Sequence, residues 1–411
     1  MAVFTGMFTT SNFTTDLAKK SFAGMITRLM PNGSAPLFGM TSMLPSETAV
    51  QVEHGFFAKT AIFPSFTLGA AVTAAGQTTF DVVSTANLLP GMIFRSSTAG
   101  VNNLGENVII NSIISSTQIV VSRAQGTVAA GTTTSGGVYL MVGNAFEEGS
   151  VRPTALNVTP VRVTNFTQIF RNSWAITDTV RATLVIAGDS NVAESKQDCA
   201  GFHAADIEKA IFFGQKSQST RNGQPFRTMA GLVAAINDTT LYPSGASANT
   251  TIAGSTTNYT QLEAALDPVF DQATDPKVAN ERVMFVGGAA KRVLNAIGRL
   301  NGTYMMVDGQ TSWGLQFTTF KTSRGTFRVI EHPLFNTNTI WSKMAIVVDL
   351  STFSLAYLGD RKTQSADFNA NSETDTGTDA LGGTLTTEVT TVVRNPAANA
   401  IITGLTAGAA G

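Results

Sequence analysis

The stretch that most constrains the fold is NVAESKQDCAGFHAADIEKAIFF, residues 191–213. Asn191 followed three residues later by Glu194 has the spacing of a capping box, each side chain satisfying an orphan backbone donor at a helix start. Ala193, Ala200, Ala204, Ile207 and Ile211 then recur at helical spacing and predict one apolar stripe. Glu194, Lys196, Asp198, Glu208 and Lys209 fall elsewhere on the wheel and are expected in water. The small Ala200 and Ala204 would let another backbone, such as that of a sheet, approach closely. Gly214 is placed to end the helix at positive φ. This helix is expected to be the spine on which the rest of the chain is hung.

The flanks of that helix divide into recognisable stretches. Residues 1–48 carry Met, Phe, Gly and Pro without steady periodicity and read as an extended arm, with a short helix predicted over Leu17 to Met30. Between Phe63 and Gly149 short apolar runs recur at Thr79 to Val83, Met92 to Arg95, Asn107 to Ile114, Gln118 to Ser122 and Val138 to Val142. Turn residues separate them, which predicts a small all-β barrel or sandwich with Val82, Ile93, Val108, Ile110, Ile119 and Val121 as its core. Extended sequence enters that module over residues 49–62 and leaves it over 150–175, as the two arms of one long hairpin would. Trp174, Ile176, Val180, Ala182, Leu184 and Ile186 alternate with polar residues and predict strands with one buried face.

After the helix, Gln215 to Thr257 is rich in Gly, Ser, Asn and Thr, with one apolar patch at Met229 to Ile236. Mixed structure follows. A helix capped by Thr260 and Glu263 carries Leu262, Leu266, Val269 and Phe270, and Arg282 to Val286 is a buried strand. Gly288 to Leu300 is a helix with Val293, Ile297 and Leu300 on one face. Hairpins are predicted at Phe317 to Ile330, turning on Ser323-Arg-Gly, and at Met344 to Leu358, and an alternating strand at Leu385 to Val393. The class expected is α+β.

The surface needed by such a chain is short of charge. Charged residues are 13% of the sequence against 43% hydrophobic, with net charge −1; about 25% charged is usual. Either partners cover much of the exterior, or it is built of Thr, Ser and Asn. No global basic field draws in nucleic acid. No run reaches the roughly 18 apolar residues of a membrane span, and MAVFTGMFTTSNFTT lacks the pattern of a secretion signal. Asn12-Phe-Thr and Asn165-Phe-Thr match the glycosylation acceptor pattern by chance in a Thr-rich chain.

Candidate chemistry fails on context. Asp375-Thr376-Gly377 spells the aspartic-protease triplet but follows a polar loop rather than a buried strand. His54, His203 and His332 have no ligand-spaced partners, so no metal site is expected. Cys199, the only cysteine, lies beside the stripe and is expected to be a buried, inert thiol. Gly287-Gly288 reads as a tight strand-to-helix turn, and Lys291 and Arg292 as a basic helix face. No phosphate loop, nucleophile elbow or dinucleotide fingerprint appears. The chain is expected to be no enzyme and to hold no cofactor.

The order of arm, long hairpin, spine helix, compact α/β part and late-returning strand resembles the major capsid protein of tailed bacteriophages, the Hong Kong 97-type fold. Asn165-Phe-Thr-Gln-Ile-Phe through Trp174-Ala-Ile-Thr-Asp-Thr, Asp206-Ile-Glu-Lys-Ala-Ile-Phe-Phe-Gly, Arg227-Thr-Met-Ala-Gly-Leu and Gly383-Thr-Leu-Thr-Thr-Glu through Asn399-Ala to Gly404-Leu are similar to one branch of that family. Gly105-Glu-Asn-Val-Ile-Ile-Asn-Ser and Val121-Ser-Arg-Ala-Gln-Gly-Thr resemble a β-domain that relatives insert in the hairpin, called the E-loop.

The resemblance implies an arm at 1–48, E-loop arms at 49–62 and 150–175, and the insertion at 63–149. It implies a peripheral domain at 176–257 with the spine at 191–213, an axial domain at 258–345, and a return to the peripheral domain at 346–411. It implies a subunit that assembles with itself, as hexamers and pentamers, into an icosahedral head enclosing double-stranded DNA. Scaffold, portal and decoration proteins are the other implied partners, with DNA contacted non-specifically. Assembly would occur in the host cytoplasm and the product would be the virion. A tail tube, fibre or adhesin is the competing reading, although no fixed-period repeat supports a fibre.

Overall fold

The computed structural model describes residues 35–59, 63–97, 105–183, 191–238, 249–252, 257–271, 281–301, 307–312, 315–368 and 379–406. The expected helix at 17–30, Leu184, Ile186 and the Asp375 triplet lie outside them. The chain forms two compact units, Phe57–Arg162 and the remainder.

In the first unit six strands follow the order Ser65–Thr67, Val138–Asn144, Met92–Ser96, Asn107–Ser115, Gln118–Ser122, Thr79–Asp81. The two outer strands meet through the bridge Leu68–Val82, with Gly69 N donating to Asp81 O at 2.8 Å and Val83 N to Thr67 O at 2.9 Å. The sheet is therefore a closed barrel, which removes its edges. Val82, Val108, Ile110, Ile119 and Val121 fill it with Phe66, Phe80, Phe94 and Tyr139. Ile93 does not: the strand turns Met92 and Phe94 inward, because strand parity admits only alternate residues.

Arg123 forms a buried ion pair in the barrel unit. Its guanidinium pairs with buried Glu106 through Nε at 3.1 Å and through Nη2, donates from Nη1 to Ala74 O at 2.7 Å, and lies 5.3 Å from the Phe80 ring centre. A buried cation with these acceptors ties the segments around Ala74 and Glu106 to the end of the strand Gln118–Ser122.

The second unit holds two sheets. A five-stranded sheet runs Glu47–Ala49, Phe353–Leu358, Ala380–Val393, Gln168–Thr177, with Gln364–Phe368 also paired to Ala380–Val393. A seven-stranded sheet runs Asn249–Thr251, Ala400–Thr403, Ala345–Val348, Glu281–Val286, Thr326–Glu331, Leu315–Lys321, Val307–Ser312. Alternate residues of its central strands enter two cores. Val283, Phe285, Ile346 and Ile401 share one with the spine helix and with Phe170, Phe353, Leu355 and Val389 of the other sheet. Met284, Val286, Val347 and Ile402 face the second, closed by Leu262, Leu266, Val293, Leu294 and Ile297. Each such fully buried side chain contributes about 1.5–3 kcal/mol.

Several expectations change here. Residues 36–43 are a helix, Pro36–Met43, with Leu37 and Met40 fully buried, rather than extended arm. Glu53–Ala58 pairs with Val161–Phe166, as hairpin arms would. The second arm stops there, because Gln168–Thr177 pairs along ten residues with Ala380–Val393. Alternation holds only to Thr177, where a short helix, Asp178–Ala182, begins and leaves Val180 exposed. The predicted hairpin at Met344 to Leu358 is two strands of different sheets, joined by a crossing at Asp349–Thr352. Thr387–Val393 is buried on both faces instead of alternating, since it lies inside the sheet and is covered on each side.

The late strand Ala400–Thr403 returns to the seven-stranded sheet, where Asn249–Thr251 joins it, so neither belongs with the five-stranded one. The helix Tyr259–Leu266 is capped by Asn258 and Gln261, two residues earlier than predicted. Leu300 is exposed, and Ala290 and Leu294 take its place. Gln215 to Thr257, for which the sequence indicated no strands, contains the hairpin Ser217–Arg221/Gln224–Thr228.

Candidate functional site: the spine helix and what it holds

The spine spans Asn191–Phe213, but its buried face is turned from the predicted one. Cys199, His203, Ile207 and Ile211, four residues apart, form the buried row, with Ala205, Glu208 and Phe212 beside it. Ile207 and Ile211 are fully buried, whereas Ala204 is half-buried and Ala200 and Ala193 are exposed. The helix turned because two polar residues in the row have partners inside, which repays their desolvation.

His203 Nδ1 lies 2.7 Å from Asn172 Oδ1, and Asn172 Nδ2 donates to Asp206 at 3.1 Å. The other ring nitrogen is 2.7 Å from the Thr387 hydroxyl. The spine is thereby tied to both long strands of the five-stranded sheet. Burial holds the His203 pKa below its ordinary value against a smaller opposing pull from Asp206.

Glu208, expected in water, is buried and bonded to three groups. Its Oε1 accepts from Leu37 N at 2.9 Å and its Oε2 from Phe38 N at 2.7 Å. Its Oε1 is also 2.8 Å from His332 Nε2, and both side chains are buried. His332 Nδ1 accepts from Leu334 N at 3.1 Å, so the ring proton sits on Nε2 and is donated to the carboxylate.

At the amino-terminal end, Asn191 is the first helical residue and its amide donates to Val180 O at 2.9 Å. Glu194 is half-buried in the first turn, and residue 190 lies outside the described residues. At the other end Gly214 takes no positive φ. It is needed for proximity instead: an added Cβ would stand 2.6 Å from Met229 O, and one on Gly231 2.6 Å from Ala210 O. Cys199 is a buried free thiol whose pKa burial raises, as an unreactive cysteine requires.

The remaining chemistry-bearing residues are accounted for structurally. A Cβ on Gly287 would meet the Ser342 backbone at 2.4 Å, and the Gly288 N–H is taken by Asn336 Oδ1 at 2.6 Å. Lys291 pairs with Glu331 at 3.3 Å. Among the described residues no group of three or more His, Cys, Asp or Glu could hold a metal, and no helix is long and apolar enough to cross a membrane.

What the molecule does present is apolar surface. Phe202, on the outer face of the spine, is 66% exposed and Ile340 70%. The barrel exposes Phe63, Leu140 and Val142, which line one shallow groove. The hairpin at 217–228 is exposed over most of its length. These are surfaces that a lone soluble subunit leaves uncovered.

The sequence profile of the SU10 major capsid protein family matches residues 9–406. The chain belongs to that family. It is also 39% identical to the major capsid protein of Pseudomonas phage PaMx41 over 98% of this chain and 97% of that protein. Among solved structures, one described as Mycobacterium phage Bobi shares 11% identity at a TM-score of 0.49, covering 96% of this chain and 97% of that one. The capsid of a native GTA particle shares 9% at 0.47, covering 96% and 98%. A major capsid protein is the structural subunit of a phage shell, and it associates with copies of itself in the virion.

Proposed function

We propose that this SU10-family capsid protein is the repeating subunit of hexamers and pentamers in an icosahedral head of Hong Kong 97-type fold that encloses double-stranded DNA. The observation that carries the reading is the family match over nearly the whole chain. The scarcity of charge and the exposed Phe202, Ile340, Phe63, Leu140 and Val142 support it, since copies of the chain can cover them. In this reading the paired strands Glu53–Ala58 and Val161–Phe166 are the E-loop stem, and the barrel is its insertion. The five-stranded sheet with the spine is the peripheral domain, its core including Ile207 and Ile211, and the seven-stranded sheet is the axial domain. Residues 1–48 are the arm that reaches a neighbour, and the helix Pro36–Met43 lies within it.

A net charge of −1 fits a container that need not neutralise the phosphates it holds. DNA is thus contacted without sequence preference. Scaffold, portal and decoration proteins complete the set of partners, assembly takes place in the host cytoplasm, and the subunit catalyses no reaction. Native mass spectrometry of the purified chain tests the capsomer assignment. Species of five and six copies are expected, from the chain alone or after co-expression with a scaffold, and a chain that populates only monomers or trimers under both conditions overturns it.

A further inference from the structure

We propose that Glu208 is a latch that docks the segment leading out of the amino-terminal arm onto the spine, and that this docking can open without unfolding the body of the subunit. The helix Pro36–Met43 begins at Ala35, which supplies no side-chain cap. Its first free N–H groups, on Leu37 and Phe38, are met instead by the two oxygens of Glu208, 171 and 170 residues away in sequence. A carboxylate at a helix start accepts orphan donors and opposes the positive end of the helix dipole.

The carboxylate is itself held. His332 donates to Oε1 from the loop that follows the strand Thr326–Glu331, and its ring packs against Phe212 and Phe335 at centroid distances of 5.1 and 5.2 Å. The oxygens therefore point at the arm helix before it docks. Beyond the two bonds at Glu208, the docked helix buries Leu37 and Met40 in the shared core. It is an eight-residue helix, too short to persist alone. Its order depends on the latch, whereas the two sheets pair without it.

Glu208→Gln removes one acceptor oxygen and turns an amide N–H₂ toward a backbone donor while keeping the side chain's shape. Hydrogen–deuterium exchange on the full-length chain, read over residues 35–43, should become about tenfold faster or more. The strands Glu281–Val286 and Ala345–Val348 should keep their protection. His332→Phe keeps the ring packing and removes the donor to Oε1 together with the acceptor for Leu334 N, and it should raise exchange over 35–43 by a smaller factor than Glu208→Gln. Unchanged exchange there in Glu208→Gln overturns the proposal. So does loss of protection over both sheets together, which would make Glu208 part of one indivisible core. If Glu208→Gln does not fold, His332→Phe decides alone: selective exchange over 35–43 supports the latch and none refutes it.

Discussion

An aspartate at Ile207 and one at Ala200 should behave oppositely, although both positions lie on the stripe that hydrophobic periodicity predicts. Ile207 is fully buried among the spine, the arm helix and both sheets. Losing its side chain costs about 2–5 kcal/mol from lost burial and the cavity left behind. A buried, unpaired carboxylate adds several kcal/mol more. Together these reach the roughly 5–15 kcal/mol of a domain's whole stability, so Ile207→Asp should yield no folded subunit. Ala200 faces solvent, and Ala200→Asp should cost less than about 1 kcal/mol, mostly helix propensity. The assay is urea unfolding of dilute, unassembled subunit followed by far-ultraviolet circular dichroism, beside soluble yield. Equal damage from the two substitutions would refute the observed rotation of the helix.

Three other outcomes are expected. Arg123→Ala should destabilise the barrel by about 3–5 kcal/mol by orphaning buried Glu106, and adding Glu106→Ala should recover part of the loss; a double variant worse than the single one contradicts the pairing. Because burial lowers the His203 pKa in the fold, the unfolded chain takes up a proton more readily than the folded one. Stability should therefore fall as pH drops through about 6.5, and His203→Gln should flatten the urea midpoint against pH there; an unchanged slope counts against a lowered His203 pKa. Residues 57–162 expressed alone should melt cooperatively with dispersed amide signals, since their core is self-contained; a disordered fragment would show that the barrel borrows its stability.

What the sequence made legible was whatever local pattern decides. The spine as a long helix, the run of barrel strands and the turn at Ser323-Arg-Gly follow from periodicity and turn residues. The buried polar row did not, because helical periodicity places Glu208 in water and leaves His203 off the apolar stripe. Their partners, His332 and Leu37 for one and Asn172 and Thr387 for the other, come from distant parts of the chain. The barrel's Glu106–Arg123 pair is concealed in the same way. One signal was present and unused: Asn222-Gly223, both at positive φ, is the two-residue turn that favours a hairpin, and it joins Ser217–Arg221 to Gln224–Thr228. Sheet membership was the other loss. Asp349–Thr352 looks like a hairpin turn, yet it carries the chain from one sheet to the other, a choice made by packing.

The central claim is that copies of this chain cover one another's apolar surface to build a shell. Cryo-electron microscopy of the purified full-length protein, after co-expression with a scaffold where the chain alone stays unassembled, tests it most directly. Closed icosahedral particles with five- and six-fold capsomers, the barrel resolved as a separate lobe on each subunit, are the predicted result. Tubes, fibres or dispersed subunits under both conditions would contradict it.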